Sequence, residues 1–354
     1  MLSKYQFCIM LLLPGLLWAA GERFTLNPVS PRSIRVGQES RLSLCHQGQP
    51  TVEVVYPGKA SPVAKYAAEE VALRLSQAFN CDIKPVTVAS GSVPAIILGD
   101  QELAAKHGLD LNALDRDGYY IKTFPNYCLI IGRDDPNGRP GKRTGYYERA
   151  TLFGTYEFLE RFLGVRYYFP GEIGTVVPEY QNFALPDIDL TDRPDNQYRS
   201  IYTVQLGKGK YLYPGLEPAD ISRESNLQLR QNTRRIPNCH GINGLQLPQR
   251  FAKEHPEYFA LRANGTREDG TGGVRSDSVY GHVCFSAPGL KNEIYLDAEA
   301  LLLGKSHKDR GLPRSWANHH EAPFFNLMPN DAMARCQCDG CRPYFQSKDP
   351  QQTS

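Results

Sequence analysis

Three cysteines near the carboxyl end of the sequence have a spacing that can bind a metal ion. Cys336, Cys338 and Cys341 form a C-x-C-x-x-C motif, which can hold zinc if Cys239, Cys284 or His240 supplies a fourth ligand. Disulfide bonding is the alternative, and it is favoured because structural zinc motifs commonly contain two paired knuckles and only one is present. Either arrangement needs a partner from outside the motif, and the metal question stays open at this point.

A carboxylate follows one of the apolar segments. Phe324–Met328 is predicted to be a strand, and Asn330 and Asp331 lie at its exit. Glycoside hydrolysis usually requires a protonated acid on one side of the bond, and in a barrel such groups lie at the carboxyl ends of strands. The alternative is an Asx turn that caps the next helix.

His240 ends another predicted strand, within the segment Asn238–Leu245. An imidazole with an ordinary pKa near ~6.5 can bind a sugar hydroxyl group or share a proton. The alternative is a structural histidine held by hydrogen bonds. The sequence contains neither a phosphate-binding glycine loop nor a nucleophile elbow, so no cofactor is predicted.

The first residues predict export. Lys4 precedes the apolar segment 7–18, and small residues follow it at positions 19–21. This order is typical of a cleaved signal peptide, here residues 1–21, and it predicts a secreted or periplasmic protein. The alternative is an uncleaved anchor, but the segment is shorter than the ~20 residues that a spanning helix needs. No later segment is long and apolar enough to span a bilayer, so no membrane association is expected after cleavage.

The charge balance argues against a nucleic-acid partner. The chain has 40 Lys and Arg against 38 Asp and Glu, which gives a net charge of +2. Nucleic-acid-binding proteins usually carry a pronounced basic excess, which is missing here.

The first half of the chain predicts a small α/β domain. Residues 22–50 form a linker or an edge hairpin, and residues 51–190 form the domain itself. Apolar residues recur at three- and four-residue steps between residues 62 and 79, which predicts an amphipathic helix. Strands are predicted at 52–56, 84–88, 95–98, 119–123 and 127–132, and further helices at 102–107 and 143–162. The polar segment 187–195 predicts a domain boundary.

The second half predicts the first part of a barrel. Short apolar segments alternate with helix-like ones from residue 195 to residue 354, which favours βα units. A complete (β/α)8 TIM barrel takes ~250 residues, or ~200 at least. Only about 160 residues follow Asp195, so a truncated barrel is expected.

The segment Tyr147–Pro170 resembles a known domain. It is similar to the long helix and following strand of the small domain that precedes the barrel in alpha-glucuronidases (glycoside hydrolase family 67) and beta-hexosaminidases (family 20). The strand and helix at 52–79 and the strand at 96–99 fit the same domain. The resemblance covers roughly residues 50–190 and implies a hexosaminidase domain 2-like α+β sandwich.

The second half resembles bacterial proteins grouped as domain of unknown function 4838. The matching segments are Glu254–Leu261, Val283–Pro288, Pro329–Asp331 and Cys336–Cys341. The family often has a glycine where this chain has Ala332, and residues 305–323 read as an extended loop.

These resemblances imply a set of site residues. Asp331 is the candidate catalytic acid, and Asn330 is its substrate-orienting neighbour. Arg199 corresponds to an arginine that binds sugar hydroxyl groups in family 20 enzymes, and its guanidinium also suits a uronate carboxylate. The alternative for Arg199 is an ion pair at a domain interface. His240 is the further substrate-binding candidate.

The leading hypothesis is an exported glycoside hydrolase-like protein in polysaccharide degradation. Its partner would be an oligo- or polysaccharide, with glycans that bear uronic acid among the expected substrates, cleaved with the help of an acid. Two alternatives are a carbohydrate-binding protein without catalysis and a truncated fragment without independent function.

Overall fold

The chain is a mixed α/β protein with two compact units that divide after Arg234. The computed structural model describes residues 32–140, 146–169, 171–196, 198–199, 218–231, 233–234, 236–270, 282–316, 320–321, 323–330 and 335–345. The predicted signal peptide and Asp331 lie outside these ranges. Among the described residues, no helix has the length and apolar composition needed to cross a membrane.

A seven-stranded mixed sheet forms the centre of the first unit. Its strands are β1 (Ser33–His46), β2 (Gln49–Pro50), β3 (Glu53–Val55), β4 (Ala95–Leu98), β5 (Tyr119–Phe124), β6 (Tyr127–Gly132) and β9 (Phe183–Asp192). They lie in the order β2-β1-β9-β5-β6-β4-β3. Strands β3, β4 and β6 are parallel, whereas β5 and β9 run antiparallel to their neighbours. A separate pair consists of β7 (Arg166–Tyr167) and β8 (Thr175–Val176). The strands predicted at 119–123 and 127–132 are confirmed as β5 and β6, which pair antiparallel.

Helix α1 (Pro62–Phe79) has the bounds that the apolar periodicity predicts. Its first turn is capped by the Ser61 hydroxyl, which accepts a hydrogen bond from the backbone N–H of Ala64, and proline occupies the first helical position. The helix ends at Asn80, whose backbone is left-handed with φ 52°. Its apolar side packs on one face of the sheet together with α3 (Ala150–Arg161).

The opposite face of the sheet is covered by the short helix α2 (Gln101–Lys106) and the 3-10 turn Leu111–Ala113. The Asp100 carboxylate caps α2 by accepting from the backbone N–H of Leu103. Successive residues of β4 and β6 therefore pack into apolar layers on opposite faces of the sheet. Because both faces are buried, the sequences of the two strands are continuously apolar. The last helix of this unit is α4 (Pro218–Gln228).

The polar segment that predicts a domain boundary is part of the sheet. Residues 187–192 belong to β9, which lies between β1 and β5. Leu185, Ile188 and Leu190 are buried, while Asp187 and Asp189 between them are at least partly exposed. Because only one face of this strand is covered, its sequence alternates and resembles a polar linker.

The described residues of the second unit form mostly short helices and turns. Its helices are α5 (Gly241–Gly244), α6 (Leu247–Phe251), α7 (Leu290–Leu302) and α8 (Arg342–Phe345), and its short antiparallel strands are β10 (His320–Glu321) and β11 (Phe324–Phe325). The segment Asn238–Leu245, predicted to contain a strand, instead contains α5. Within the described part of this unit, no parallel strand pair of the kind found in a barrel is present.

Candidate functional site

Four cysteine sulfurs converge in the second unit. The Sγ atoms of Cys284, Cys336, Cys338 and Cys341 all lie within 4.8 Å of one another. The Sγ of Cys284 lies 3.5 Å from that of Cys338 and 3.7 Å from that of Cys341. Cys284 is thus the fourth partner of the C-x-C-x-x-C motif, and the four sulfurs are arranged as a set of metal ligands.

Three backbone segments bring these sulfurs together. The strand-like segment 258–261 lies between the other two: the N–H of Cys284 donates to the carbonyl of Tyr258, and the N–H of Gln337 donates to the carbonyl of Leu261. The N–H of Leu261 also donates to the Cys336 sulfur at 3.3 Å. The Cys338–Cys341 turn then leads into α8, where the N–H of Arg342 donates to the carbonyl of Cys338.

The Ser286 hydroxyl lies against the sulfur cluster, 3.2 Å from the Sγ atoms of both Cys338 and Cys341. Its hydrogen bond lowers the pKa of Cys338 to about 6. Burial raises the pKa of Cys284 to about 12. The sulfurs of the cluster therefore lie in unlike environments.

Two of the segments that carry predicted sugar-binding residues meet in this unit. The N–H of Ile242, in α5, donates to the carbonyl of Met328 at 3.2 Å. The side-chain amide of Asn326 donates to the carbonyl of Cys239, also at 3.2 Å. The segment that carries His240 is thereby held against the segment that leads to Asn330.

Asn330 is buried at one side of a shallow cleft that Ile242, His282, Val283 and Phe285 also line. The cleft has room for about one water molecule, so it suits a single hydroxyl group rather than a sugar ring. His240 is half-buried and precedes α5 with a left-handed backbone, φ 48°. It does not line this cleft.

A histidine and a carboxylate form a pair beside Asn330. The Nδ1 atom of His282 lies 2.7 Å from a carboxylate oxygen of Glu268, and Arg262 donates to the other oxygen at 2.8 Å. Burial alone would raise the pKa of Glu268, but hydrogen bonds from His282 and Arg262 outweigh it, and the net pKa is lowered. The carboxylate thus fixes the orientation of the imidazole ring, as in many proton-transfer sites.

Arg199 lies in the first unit and has an extensive set of partners. Its guanidinium donates to the Asp117 carboxylate at 2.9 Å and to the carbonyl oxygens of Arg230 and Asn196. The same group lies over the Phe153 ring, 5.4 Å from its centroid. The geometry is therefore that of a buried ion pair, and substrate binding by Arg199 stays a prediction.

The first unit contains a larger pocket of about 480 Å³ at the carboxyl ends of the parallel strands. It is lined by the segments that follow β3 and β4, at residues 57–61 and 99–102, and by Gly132 and Asp134 at the end of β6. Its volume falls within the range of small-molecule sites, about 300–1,000 Å³. The Asp134 carboxylate in this pocket accepts from the Ser61 hydroxyl and from the backbone N–H of Thr151.

Asp134 should make the stability of the protein depend on pH. Burial raises the pKa of Asp134 to about 7, whereas an unfolded aspartate titrates near about 3.9. Between about pH 4 and about pH 7, the folded state therefore binds one more proton at Asp134 than the unfolded state does. The contribution of Asp134 to the free energy of unfolding is fully present below about pH 4 and is lost as the pH rises to about 7. We expect a loss of about 1–2 kcal/mol, since each pKa unit corresponds to about 1.4 kcal/mol and solvent at the pocket rim screens part of it.

The measurement is urea unfolding between pH 4 and pH 8. The substitution Asp134→Asn, which keeps the shape of the side chain, should flatten the profile. Asp135→Asn removes the adjacent carboxylate, which does not line the pocket, and should leave the slope in place. An unchanged slope in Asp134→Asn would assign the pH dependence to other groups.

Two of these features were not identified from the sequence. Glu268 and His282 lie 14 residues apart and have no motif spacing, so no local signal links them. Asp134 follows a predicted strand, which is a weak signal because parallel strand ends are common sites for ligands. Asp331 lies outside the described residues, and its predicted role stays a prediction.

One solved structure of known activity has a distant likeness to this chain. It is described as a novel family GH115 4-O-methyl-alpha-glucuronidase with specificity for decorated arabinogalactans. The likeness has a TM-score of 0.36 and 15% sequence identity, and it covers 54% of this chain. The chain spans about a quarter of the length of that protein, at 25%. No curated protein matches the sequence.

The sequence also matches a family model. The model, described as a domain of unknown function (DUF4838), matches residues 169–351, which is slightly more than half of the chain. The matched region contains the sulfur cluster, the Glu268–His282 pair and the segment 326–330. The chain therefore belongs to the DUF4838 family.

Proposed function

We propose that this chain acts on carbohydrates as part of an exported glycoside hydrolase-like protein. The observation that carries the proposal is the convergence of the segment around His240 with the segment 326–330, which places Asn330 beside a cleft of hydroxyl size. An amide and an oriented imidazole offer both donors and acceptors, and sugar hydroxyl groups need both. Asp331, next in sequence, is the proposed acid.

The finer form of the proposal concerns the substrate and the fold. The substrate is a polysaccharide that bears uronic acid, and Arg199 is the proposed ligand of the uronate carboxylate. The first unit corresponds to the small domain that precedes the barrel in alpha-glucuronidases and beta-hexosaminidases. The second unit corresponds to the first part of a TIM barrel.

His282 is a further candidate site residue, which no sequence pattern indicated. Its ring is held by the Glu268 carboxylate and lines the same cleft as Asn330. We propose that it orients or deprotonates the hydroxyl group that Asn330 binds. This role resembles that of other histidines whose ring orientation is fixed by a carboxylate.

The test is a screen of the exported chain against uronic-acid and hexosamine glycosides, with release of reducing ends as the readout. In a protein that cleaves one of them, Asp331→Asn should lower kcat about 100-fold or more, since a positioned acid typically contributes about 10²–10⁴-fold. The control is Glu299→Gln, which neutralises an exposed carboxylate on α7. Full activity of Asp331→Asn would remove Asp331 from the mechanism.

Binding measurements separate the hydrolase from the alternative of a carbohydrate-binding protein. Glycan-array binding that Asn330→Ala weakens, without release of sugar, would support binding alone. The proposal would be contradicted if the protein neither bound nor hydrolysed any glycan of the full panel.

A further inference from the structure

We propose that Cys284, Cys336, Cys338 and Cys341 bind one structural Zn²⁺ ion. This inference concerns a metal site and does not depend on the proposed function. Four thiolates at about 2.3 Å from a zinc ion form a tetrahedron whose edges are about 3.8 Å long. The distances from the Cys284 sulfur to those of Cys338 and Cys341, 3.5 and 3.7 Å, match those edges.

The arrangement does not resemble a pair of disulfides. A disulfide joins two sulfurs at about 2.05 Å, and two separate disulfides need not lie close to each other. Here the Cys284 sulfur is nearly equidistant from two others, and all four sulfurs lie within 4.8 Å of one another. Convergence of four sulfurs on one point is the geometry of a shared ligand.

The surroundings suit thiolates bound to a cation. The backbone N–H of Leu261 points at the Cys336 sulfur, and the Ser286 hydroxyl can donate to Cys338 or Cys341. Hydrogen bonds of this kind orient metal ligands and stabilise their negative charge. Gly340 allows the Cys338–Cys341 turn to approach, because a Cβ atom there would lie 2.6 Å from the Ser286 oxygen.

The ion would join two segments, 282–286 and 336–341, whose sulfurs come from positions more than 50 residues apart in the sequence. The segment 258–261 supplies no ligand, but the N–H groups of Cys284 and Gln337 donate to its carbonyl oxygens. The sulfur ligands therefore link the first two segments directly and hold 258–261 through these hydrogen bonds. Val283 and Phe285, on either side of Cys284, line the cleft that contains Asn330. The zinc ion thus stabilises one wall of that cleft.

The first measurement is the metal content of the full chain, purified without added chelator. We expect about one zinc per chain, and an X-ray absorption spectrum with four sulfur neighbours at about 2.3 Å. This measurement uses the unmodified protein, so it does not depend on whether a variant folds. Iron in place of zinc, or a shell with nitrogen or oxygen ligands, would overturn the proposal.

Variants and thiol labelling complete the test. Cys341→Ser should reduce the zinc content to near zero, whereas Cys239→Ser, at an exposed cysteine outside the cluster, should retain it. Alkylation of the denatured, chelator-treated protein should label all four cluster cysteines, because zinc leaves them as thiols. Four cysteines that resist alkylation until a reductant is added would show two disulfides instead and would contradict the proposal.

Discussion

Replacement of Asp117 by asparagine is expected to destabilise the first unit by about 3 kcal/mol. Asp117 is fully buried, and its carboxylate accepts from the Arg199 guanidinium and from the Thr233 hydroxyl. The buried Arg149 guanidinium lies within electrostatic reach of the same carboxylate. Asparagine keeps the size of the side chain and tolerates the left-handed backbone, φ 63°, so the change removes mainly the charge.

The large effect follows from the cations that remain. Removing one member of a buried ion pair leaves an uncompensated charge in a medium of low dielectric constant, which costs about 3–5 kcal/mol when the whole interaction is lost. The second replacement Arg199→Met should therefore restore part of the stability of Asp117→Asn. Such non-additivity is expected for residues in direct contact.

The measurement is urea unfolding combined with hydrogen exchange of the β5 and β6 amides, which reports on the first unit alone. Asp115→Asn is the matched control, because Asp115 is two residues away and forms a half-exposed ion pair with Arg193. Exposed pairs contribute about 0–1 kcal/mol, so the control should stay near the parent protein. Equal effects at both positions would show that the Asp117 charge is not the cause.

Replacement of Gly241 by alanine is expected to separate α5 from the segment 326–330 and to weaken sugar binding strongly. A Cβ atom at this position would lie 2.1 Å from the backbone oxygen of Asn326 and 2.5 Å from its carbonyl carbon. Backbone atoms cannot rotate away as a flexible side chain can, so the two segments must move apart. Overpacking of this kind costs about 1–3 kcal/mol, and occasionally more.

The separation should affect three interactions at once. The Nε2 of His320 donates to the carbonyl of Gly241 at 2.7 Å, the N–H of Ile242 donates to the carbonyl of Met328, and the side-chain amide of Asn326 donates to the carbonyl of Cys239. We expect faster hydrogen exchange in residues 326–330 and at least a tenfold weaker affinity for any glycan found in the screen, which corresponds to about 1.4 kcal/mol.

Gly58→Ala is the control for this substitution. An added methyl group at Gly58 would meet no atom within 4 Å, so the stability and the binding should both be retained. Unchanged glycan affinity in Gly241→Ala, with the expected rise in hydrogen exchange, would separate the α5 contact from sugar binding. It would then contradict the assignment of the cleft beside Asn330 as the sugar site.

Local patterns predicted much of the first unit. The bounds of α1, β4 and β6 agree with the sequence analysis, because apolar periodicity and the Ser61-Pro62 cap act within a few residues of the chain. The inner strand β9 was not predicted, since a strand with one covered face alternates polar and apolar residues.

In the second unit, local sequence patterns specify less of the structure. The segment Asn238–Leu245 contains the helix α5 rather than a strand, and short apolar segments of this length fit either element. The helix α5 begins and ends with glycine, at Gly241 and Gly244, and glycine favours neither helix nor strand by propensity. The conformation of this segment is therefore set by its contacts with Asn326 and Met328 rather than by its local sequence.

The sequence by itself determined the spacing of Cys336, Cys338 and Cys341, the amphipathic helix α1 and the resemblance to the DUF4838 family. Each of these depends on residues close together in the chain. Only the tertiary structure decided that Cys284 is the fourth sulfur, that Glu268 orients His282 and that Arg199 pairs with Asp117. The partners in these contacts are 14 to 82 residues apart, and a contact at such separation is set by the packing of whole elements rather than by local sequence.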